Sequence, residues 1–299
     1  MKKHKICKIL LVILAIFLCV AFYELLGICV AYKKQPEVSN TTKKETKNGS
    51  WNECSENTER AVIIEKNPEA LLQRVRLIKN AKKEIILSTF AFQSDESGKL
   101  ILGALHDAAD RGVHIRLLVD GMESWIDMEG NPYFYGLSSH ENVEIKLYNK
   151  ANPLKPWKMM GRMHDKYLIA DGKRYILGGR NTYNYFLGDF PGHKNYDRDV
   201  LVVCDEPEKE NSVNQLSEYF ETIWNQEDCG YFHNNKKLAN RKSVKNAVLE
   251  LQNSYQKYFE ENKERICETN YTDETFETEK IALVSNPIHT GSKEPVVWY

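Results

Sequence analysis

The residues Glu84-Ile85-Ile86-Leu87-Ser88-Thr89-Phe90, the segment from Gly98 to Arg111, and Val113-His114-Ile115-Arg116-Leu117-Leu118-Val119 set the architecture of this chain. The first and last are short, rich in aliphatic side chains and of strand length. Between them Ile101, Ala104, Leu105 and Ala108 recur at helical spacing, which marks one apolar helix face. Gly112 supplies the residue type that ends a helix in the left-handed conformation. Strands apolar on both sides must be covered on both faces, so strand, helix, strand predicts a βαβ unit in a sheet with a parallel portion. The expected class is α/β.

Toward the C-terminus further strands are predicted at residues 143–148, 166–170, 174–177 and 199–203, with Asp171-Gly172 as a hairpin turn between two of them. Val213, Leu216, Phe220 and Ile223 then mark an amphipathic helix, and a second is expected from about residue 237 to 265. The run Lys236, Lys237, Arg241, Lys242 and Lys245 reads as a solvated helix face rather than a phosphate grip. Toward the N-terminus, Asn67-Pro68-Glu69 reads as an N-cap, a proline at the first helical position and an early acid. They open a helix to about residue 80, with Leu71, Val75 and Ile78 on one face.

Residues 35–60 are polar with few aliphatic side chains and read as a linker. Before them Lys2, Lys3, Lys5 and Lys8 precede an apolar run over 9–31, interrupted only by Glu24 and followed by Lys33 and Lys34. A bilayer core needs about 20 residues, and a cleaved signal would be shorter and end on a small-x-small site, so residues 1–34 read as an uncleaved transmembrane anchor. The short basic tail favours the N-terminus inside and the domain extracytoplasmic, although Lys33, Lys34, Lys43, Lys44 and Lys47 beyond the span weaken that bias. The expected organisation is an anchor over 1–34, a linker over 35–60 and one domain over 61–299.

Composition narrows the function. Lys and Arg total 41 against 42 for Asp and Glu, a formal net charge of -1, so there is no global pull toward nucleic acid. Of seven cysteines, Cys7, Cys19 and Cys29 belong to the anchor, and the other four, Cys54, Cys204, Cys229 and Cys267, form no C-x-x-C pair. That argues against zinc, and no metal or other cofactor is expected. In an oxidising compartment those four could form disulfides, in a pairing the sequence leaves open.

The chemistry concentrates in Met163-His164-Asp165-Lys166-Tyr167-Leu168-Ile169-Ala170-Asp171, which fits H-x-K-x4-D and is followed by Gly178-Gly179-Arg180-Asn181. By composition such a pattern arises by chance on the order of a few hundredths of a time in a chain this long. His164 and Lys166 stand two apart at the start of a strand, so both side chains point to one face and can meet one phosphate. A neutral imidazole can attack phosphorus, and the ammonium can stabilise charge gathering on the equatorial oxygens. Gly178 and Gly179 leave room for close approach, and the Asn181 amide can donate to a phosphate oxygen. Asp171 is ambiguous, because Asp before Gly suits a type I′ turn whatever the chemistry.

His164, Lys166, Asp171, Gly178, Gly179 and Asn181 together resemble the HKD motif of the phospholipase D superfamily, with cardiolipin synthase-like members the nearest in kind. The resemblance extends from about residue 61 to 203, through the helix and strand of Ala104 to Asp120 and the strand start at Arg198-Asp199. It implies a phospholipase D-like mixed sheet flanked by helices and a phosphodiesterase or phosphatidyltransferase acting on membrane phospholipid. It further implies His164 as nucleophile, Lys166, Asn181 and Gly179 at the substrate phosphate, and Asp171 in a supporting catalytic role.

Members of that superfamily set two HKD motifs across one site, whereas this sequence holds one and no internal repeat. The segment Asn286 to Pro295 has the wrong spacing for a second motif and resembles the junction leading into a second lobe. The second lobe is therefore expected from a homodimer partner or from a C-terminal half beyond Tyr299, with the balance slightly toward the latter. His106, His114, His140, His193, His233 and His289 are scattered and read as non-catalytic. Trp157, Met159 and Met160 read as core packing rather than a lipid entry. Two other functions compete: a dimeric HKD-type nuclease, disfavoured by charge and anchor, and an inactive half that binds phosphate or a partner.

Overall fold

A computed structural model describes residues 2–33 and 59–285, apart from 159–160, 205, 207–210, 234, 280 and 282. The expected linker lies almost wholly outside the described residues, as do Cys54, Met159, Met160 and the junction-like segment from Asn286. Helix α1 (Lys2–Lys33) stands apart from the rest in composition. Its segment Lys5–Val30 has a mean hydropathy of 2.9 with none of its most apolar stretch buried, so it is long and apolar enough to cross a membrane.

Among the described residues the domain is one nine-stranded mixed sheet in the order β8-β4-β3-β2-β5-β6-β7-β1-β9. Its strands are β1 (Glu59–Ile64), β2 (Glu84–Thr89), β3 (His114–Asp120), β4 (Val143–Tyr148), β5 (Lys166–Ala170), β6 (Arg174–Gly178), β7 (Asp199–Cys204), β8 (Cys229–Tyr231) and β9 (Phe276–Glu277). Strands β2, β3 and β4 run parallel, and all other pairs are antiparallel. The βαβ reading of the sequence is thus the parallel third of the sheet, joined by α2 (Asn67–Asn80) before it and α3 (Glu96–Asp110) within it.

Two apolar layers sandwich the sheet. On one face Leu87, Leu117, Ile145 and Leu168 pack with residues of α2, α3, α5 (Pro132–Ser138) and α7 (Lys242–Glu261). On the other face Ile86, Leu118, Tyr167, Ile169 and Val202 meet Val213, Leu216, Phe220 and Ile223 of α6 (Ser212–Trp224). Strand β5 is buried at every position, which is why it reads as an unbroken apolar run after Lys166. Truncating a side chain such as Leu168 to Ala in this setting costs about 2–5 kcal/mol.

Three local expectations are corrected. Asn67 is not the N-cap of α2: the helix begins at Asn67 with Lys66 in the cap position and no side-chain cap. The Asn67 amide instead accepts from Arg180 Nε (3.1 Å) and donates to the Asn195 carbonyl (2.9 Å). The second C-terminal helix is divided into a 3-10 turn at Lys236–Asn240, α7, and the short α8 (Lys263–Cys267). Trp157 joins neither apolar cluster. No disulfide forms among Cys204, Cys229 and Cys267. Asp171 and Gly172 take φ of 54° and 61°, so the hairpin between β5 and β6 has the two left-handed central residues that Asp-Gly supplies.

Candidate active site

Register places the chemistry. β5 runs antiparallel to β2 with Lys166 opposite Thr89, so the N-terminal end of β5 lies at the C-terminal end of the parallel strands. That end, where the connecting loops gather, is where open α/β sheets hold their ligands.

The first residue past β2 is Phe90, and its ring is the floor of the site. The His164 ring meets it edge-on with centroids 4.7 Å apart, Lys166 Nζ lies 5.3 Å from its centre and the Arg162 guanidinium carbon 4.8 Å. Arg162, His164 and Lys166 thus share one side of the chain by the period-2 rule. Asp165 between them turns the other way, where its carboxylate accepts from the Tyr219 hydroxyl of α6 (3.0 Å) and burial raises its pKa.

Asp120, the last residue of β3, is 1% exposed and pins the segment that precedes His164. One oxygen accepts from Arg162 Nε (2.8 Å), the other from the Met163 backbone N–H (3.0 Å). The same carboxylate caps α4 (Gly121–Asp127) by accepting from Met122 and Glu123 N–H. Glu123 then holds the far side of Arg162 at 2.7 Å.

Electrostatics follow from this packing. Partial burial first, then the charges of Lys166 and Arg162, hold the His164 pKa below the ordinary histidine value. Its imidazole is therefore largely neutral at pH 7, the state that can act as a nucleophile. Lys166 is 6% exposed, and burial pushes its pKa down to about 8 against the opposing pull of Asp165 and Asp197. Its ammonium donates to the His164 carbonyl (2.6 Å), leaving donors for an incoming anion.

Gly178 and Gly179 follow on β6. A side chain at Gly179 would collide with the Asp197 carboxylate, and one at Gly178 with Asp199. Their smallness therefore admits two acids from the neighbouring strand, rather than a substrate backbone alone. Arg180 turns inward, wholly buried against Asp199 and Asn67. Asn181 is fastened to the segment just past β2: its Oδ1 accepts from the Ala91 N–H (3.2 Å), while its Nδ2 has no hydrogen-bond partner among the described residues. An amide fixed by its oxygen presents its N–H groups in one direction.

Asp171 is not brought into this cluster. It lies past the far end of β5, about 17 Å from Lys166 at strand rise. There its carboxylate accepts from the backbone N–H groups of Lys82, Lys83 and Glu84 at 2.7–3.1 Å. A cavity of about 290 Å³ opens beside His164 and Lys166 against Leu216, Tyr219 and Leu283. A larger one of about 640 Å³, lined by His106, His140 and Lys245, contains none of the motif residues.

Phe90, Asp120, Arg162 and Asp197 were absent from the sequence-derived site. Arg162 was within reach, standing two before His164 on the same alternation. The other three come from distant segments.

An α/β domain with a histidine and a buried lysine at the carboxyl end of its parallel strands is the class that fold and site define. The profile of the family described as cardiolipin synthase, PLD-like domain, matches residues 74–224, half of the chain. The chain belongs to that family, within the phospholipase D superfamily. A protein of Helicobacter pylori strain J99 is 30% identical over 212 residues, covering 66% of this chain and 39% of the relative. Cardiolipin synthase C of Escherichia coli K12 is 29% identical over 171 residues, covering 52% of this chain and 34% of that enzyme. The chain thus matches less than half the length of these curated relatives. Among solved structures, the phosphatidylserine synthase of Haemophilus influenzae Rd KW20 aligns with a TM-score of 0.49 at 17% identity, covering 74% of this chain and 48% of that one. NucT from Helicobacter pylori aligns with a TM-score of 0.45 at 18% identity, covering 58% of this chain and 99% of that one.

Proposed function

We propose that this chain supplies one half-site of a phosphodiesterase or phosphatidyltransferase that acts on membrane phospholipid. The observation that carries the reading is the neutral His164 beside the buried cation of Lys166, both seated on Phe90 at the open end of the sheet.

An imidazole nitrogen of His164 attacks the phosphodiester phosphorus. The bond from phosphorus to the departing alkoxide breaks, and a phosphatidyl-histidine forms. Lys166 and the Asn181 amide stabilise the equatorial oxygens as charge builds there. Water, for hydrolysis, or an alcohol, for transfer, then attacks phosphorus and restores His164.

The departing alkoxide needs a proton, and no other histidine among the described residues stands in this cluster. A second lobe supplies that general acid, from another copy of the chain or from a C-terminal half. Trp125 and Ile126, on the helix that Asp120 caps, and Tyr196, next to Asp197 in the chain, are 65%, 64% and 80% exposed and would give such a lobe apolar surface to meet. Helix α1 keeps the site near its substrate, with the N-terminus inside and the domain extracytoplasmic.

The test is to trap the intermediate. The full chain in detergent micelles and its His164→Ala variant are incubated with phosphate-labelled phosphatidylglycerol and quenched fast. Acid-labile, base-stable label on the wild type alone supports the reading. Label absent with lipid but present with a labelled oligonucleotide would replace it with a nuclease, and no label from either would leave a phosphate-binding half.

A further inference from the structure

We infer that the loop between β4 and β5, at residues 152–158, is a lipid-contacting element that lies in the bilayer surface beside α1 and sets the height of the catalytic end above it. The inference rests on α1 as a bilayer span, and its link to substrate access rests on the phospholipid reading above.

The first observation is the docking of this loop onto the C-terminal turns of α1. The Tyr23 hydroxyl donates to the Leu154 carbonyl (3.0 Å). Gly27 is buried against Pro156, and any side chain there would collide with the proline ring and crowd the Trp157 backbone nitrogen. Ala21, Glu24 and the neighbours Gly27 and Ile28, at i, i+3 and i+6/i+7, are the covered stripe of α1, while Phe22, Leu25 and Leu26 around them are exposed. The one ionisable residue of the apolar run, Glu24, therefore lies on the stripe covered by protein.

The second observation is depth. A hydrocarbon core of about 30 Å takes about 20 helical residues. Counted from Ile9, just past the basic tail, that reaches Ile28, so Tyr23 and Gly27 fall within the last turns of the span. A loop fastened there meets the interfacial layer, and it brings the residues that layer favours. Trp157 and Tyr23 are amphipathic aromatics of the membrane boundary. Leu154, 79% exposed, is among the barest aliphatic side chains of the domain.

The third observation is rigidity toward the site. Asn149, in the left-handed conformation at φ 50°, donates from Nδ2 to the Lys158 and Gly161 carbonyls at 2.6 and 2.7 Å. Lys158 is 7% exposed and paired with Asp228 at 2.7 Å. From Gly161 the chain passes directly to Arg162, fixed by Asp120, and then to His164. Asn149 thus ties the loop that docks on the anchor to the residue from which the chain enters the nucleophile's segment.

The test places the full chain in nanodiscs containing a phospholipid with a diazirine near the glycerol end of its acyl chain. After irradiation, labelled peptides are mapped by mass spectrometry. Label is expected on α1 and on the peptide holding residues 152–158, but not on that holding 236–245. Leu154→Asp, a substitution at an exposed position that leaves the fold intact, lowers the loop label at least fivefold and leaves the α1 label within twofold. Gly27→Leu, which unseats Pro156, does the same. His164→Ala labels like the wild type, because the contact needs no turnover. Label on α1 with the loop at the level of 236–245, or no label on either, overturns the inference. Loop label on a chain that never forms a phosphoenzyme would instead overturn the catalytic reading and leave this one standing.

Discussion

The two ends of β5 carry the two halves of one motif and are built on opposite principles. At the N-terminal end Lys166 is buried with one hydrogen bond among the described residues for its three donors, and burial pushes its pKa down to about 8. At the C-terminal end Asp171 is saturated by three backbone N–H groups of the turn that leads into β2. Charges left short of partners and water are poised to act on a ligand, whereas charges fully partnered within the chain hold a turn in place. Within H-x-K-x4-D, therefore, the first two residues stand together at the open end of the sheet and the last stands at the far turn.

The strongest way to break this contrast is to remove each end in turn. His164→Ala is expected to abolish the phosphoenzyme and lower turnover on the order of 10⁴-fold or more, with thermal stability unchanged. A large loss of stability in that variant would mean the histidine holds the fold. Lys166→Arg keeps the charge but not the compact ammonium, and should cost on the order of 10²-fold in rate. Turnover of the wild type should rise with pH as His164 loses its proton below the usual histidine range, then fall as Lys166 loses its own around 8. In Lys166→Arg the falling limb should move upward; an unmoved limb would assign it to the second lobe's acid.

Asp171→Ala should act in the opposite sense. Loss of its charge-assisted bonds to Lys82, Lys83 and Glu84 is expected to reduce unfolding free energy by about 1–3 kcal/mol, read from denaturant midpoints. The folded fraction should keep its turnover within about threefold, and a collapse of turnover at unchanged stability would return Asp171 to the site. The smallest effect is expected at the floor. Phe90→Leu removes cation–π and edge contacts worth about 0.5–1 kcal/mol, and turnover should fall about two- to fivefold.

The parallel strands β2 and β3 were legible because burial on both faces leaves a near-continuous aliphatic run, and they begin and end within a residue of that run. The pairing of His164 with Lys166 was legible for a similarly local reason, since alternation along one strand needs no knowledge of its neighbours. What sits beneath and beside them was not. Phe90 and Asp120 arrive from the ends of β2 and β3, and Asp197 from before β7, by strand order alone. Asp171 stands apart from the cluster because its partners lie in the turn before β2, which the antiparallel pairing of β5 with β2 brings near. Asn67 misled for a related reason: its amide answers the buried Arg180, a partner far along the chain, instead of capping its own helix.

Among the described residues the sheet stops at both margins on stubs, three residues of β8 and two of β9. Unpaired N–H and C=O groups along a long outer strand invite another chain to add itself, and short margins deny that template. Nine strands so terminated resist edge-to-edge growth into fibrils or runaway polymers, even with Tyr231 and Phe276 bare at those margins. Contacts that built a larger assembly from this domain would therefore fall to its loops and helices, at an end or a face of the sheet, where a docking event closes on itself instead of propagating.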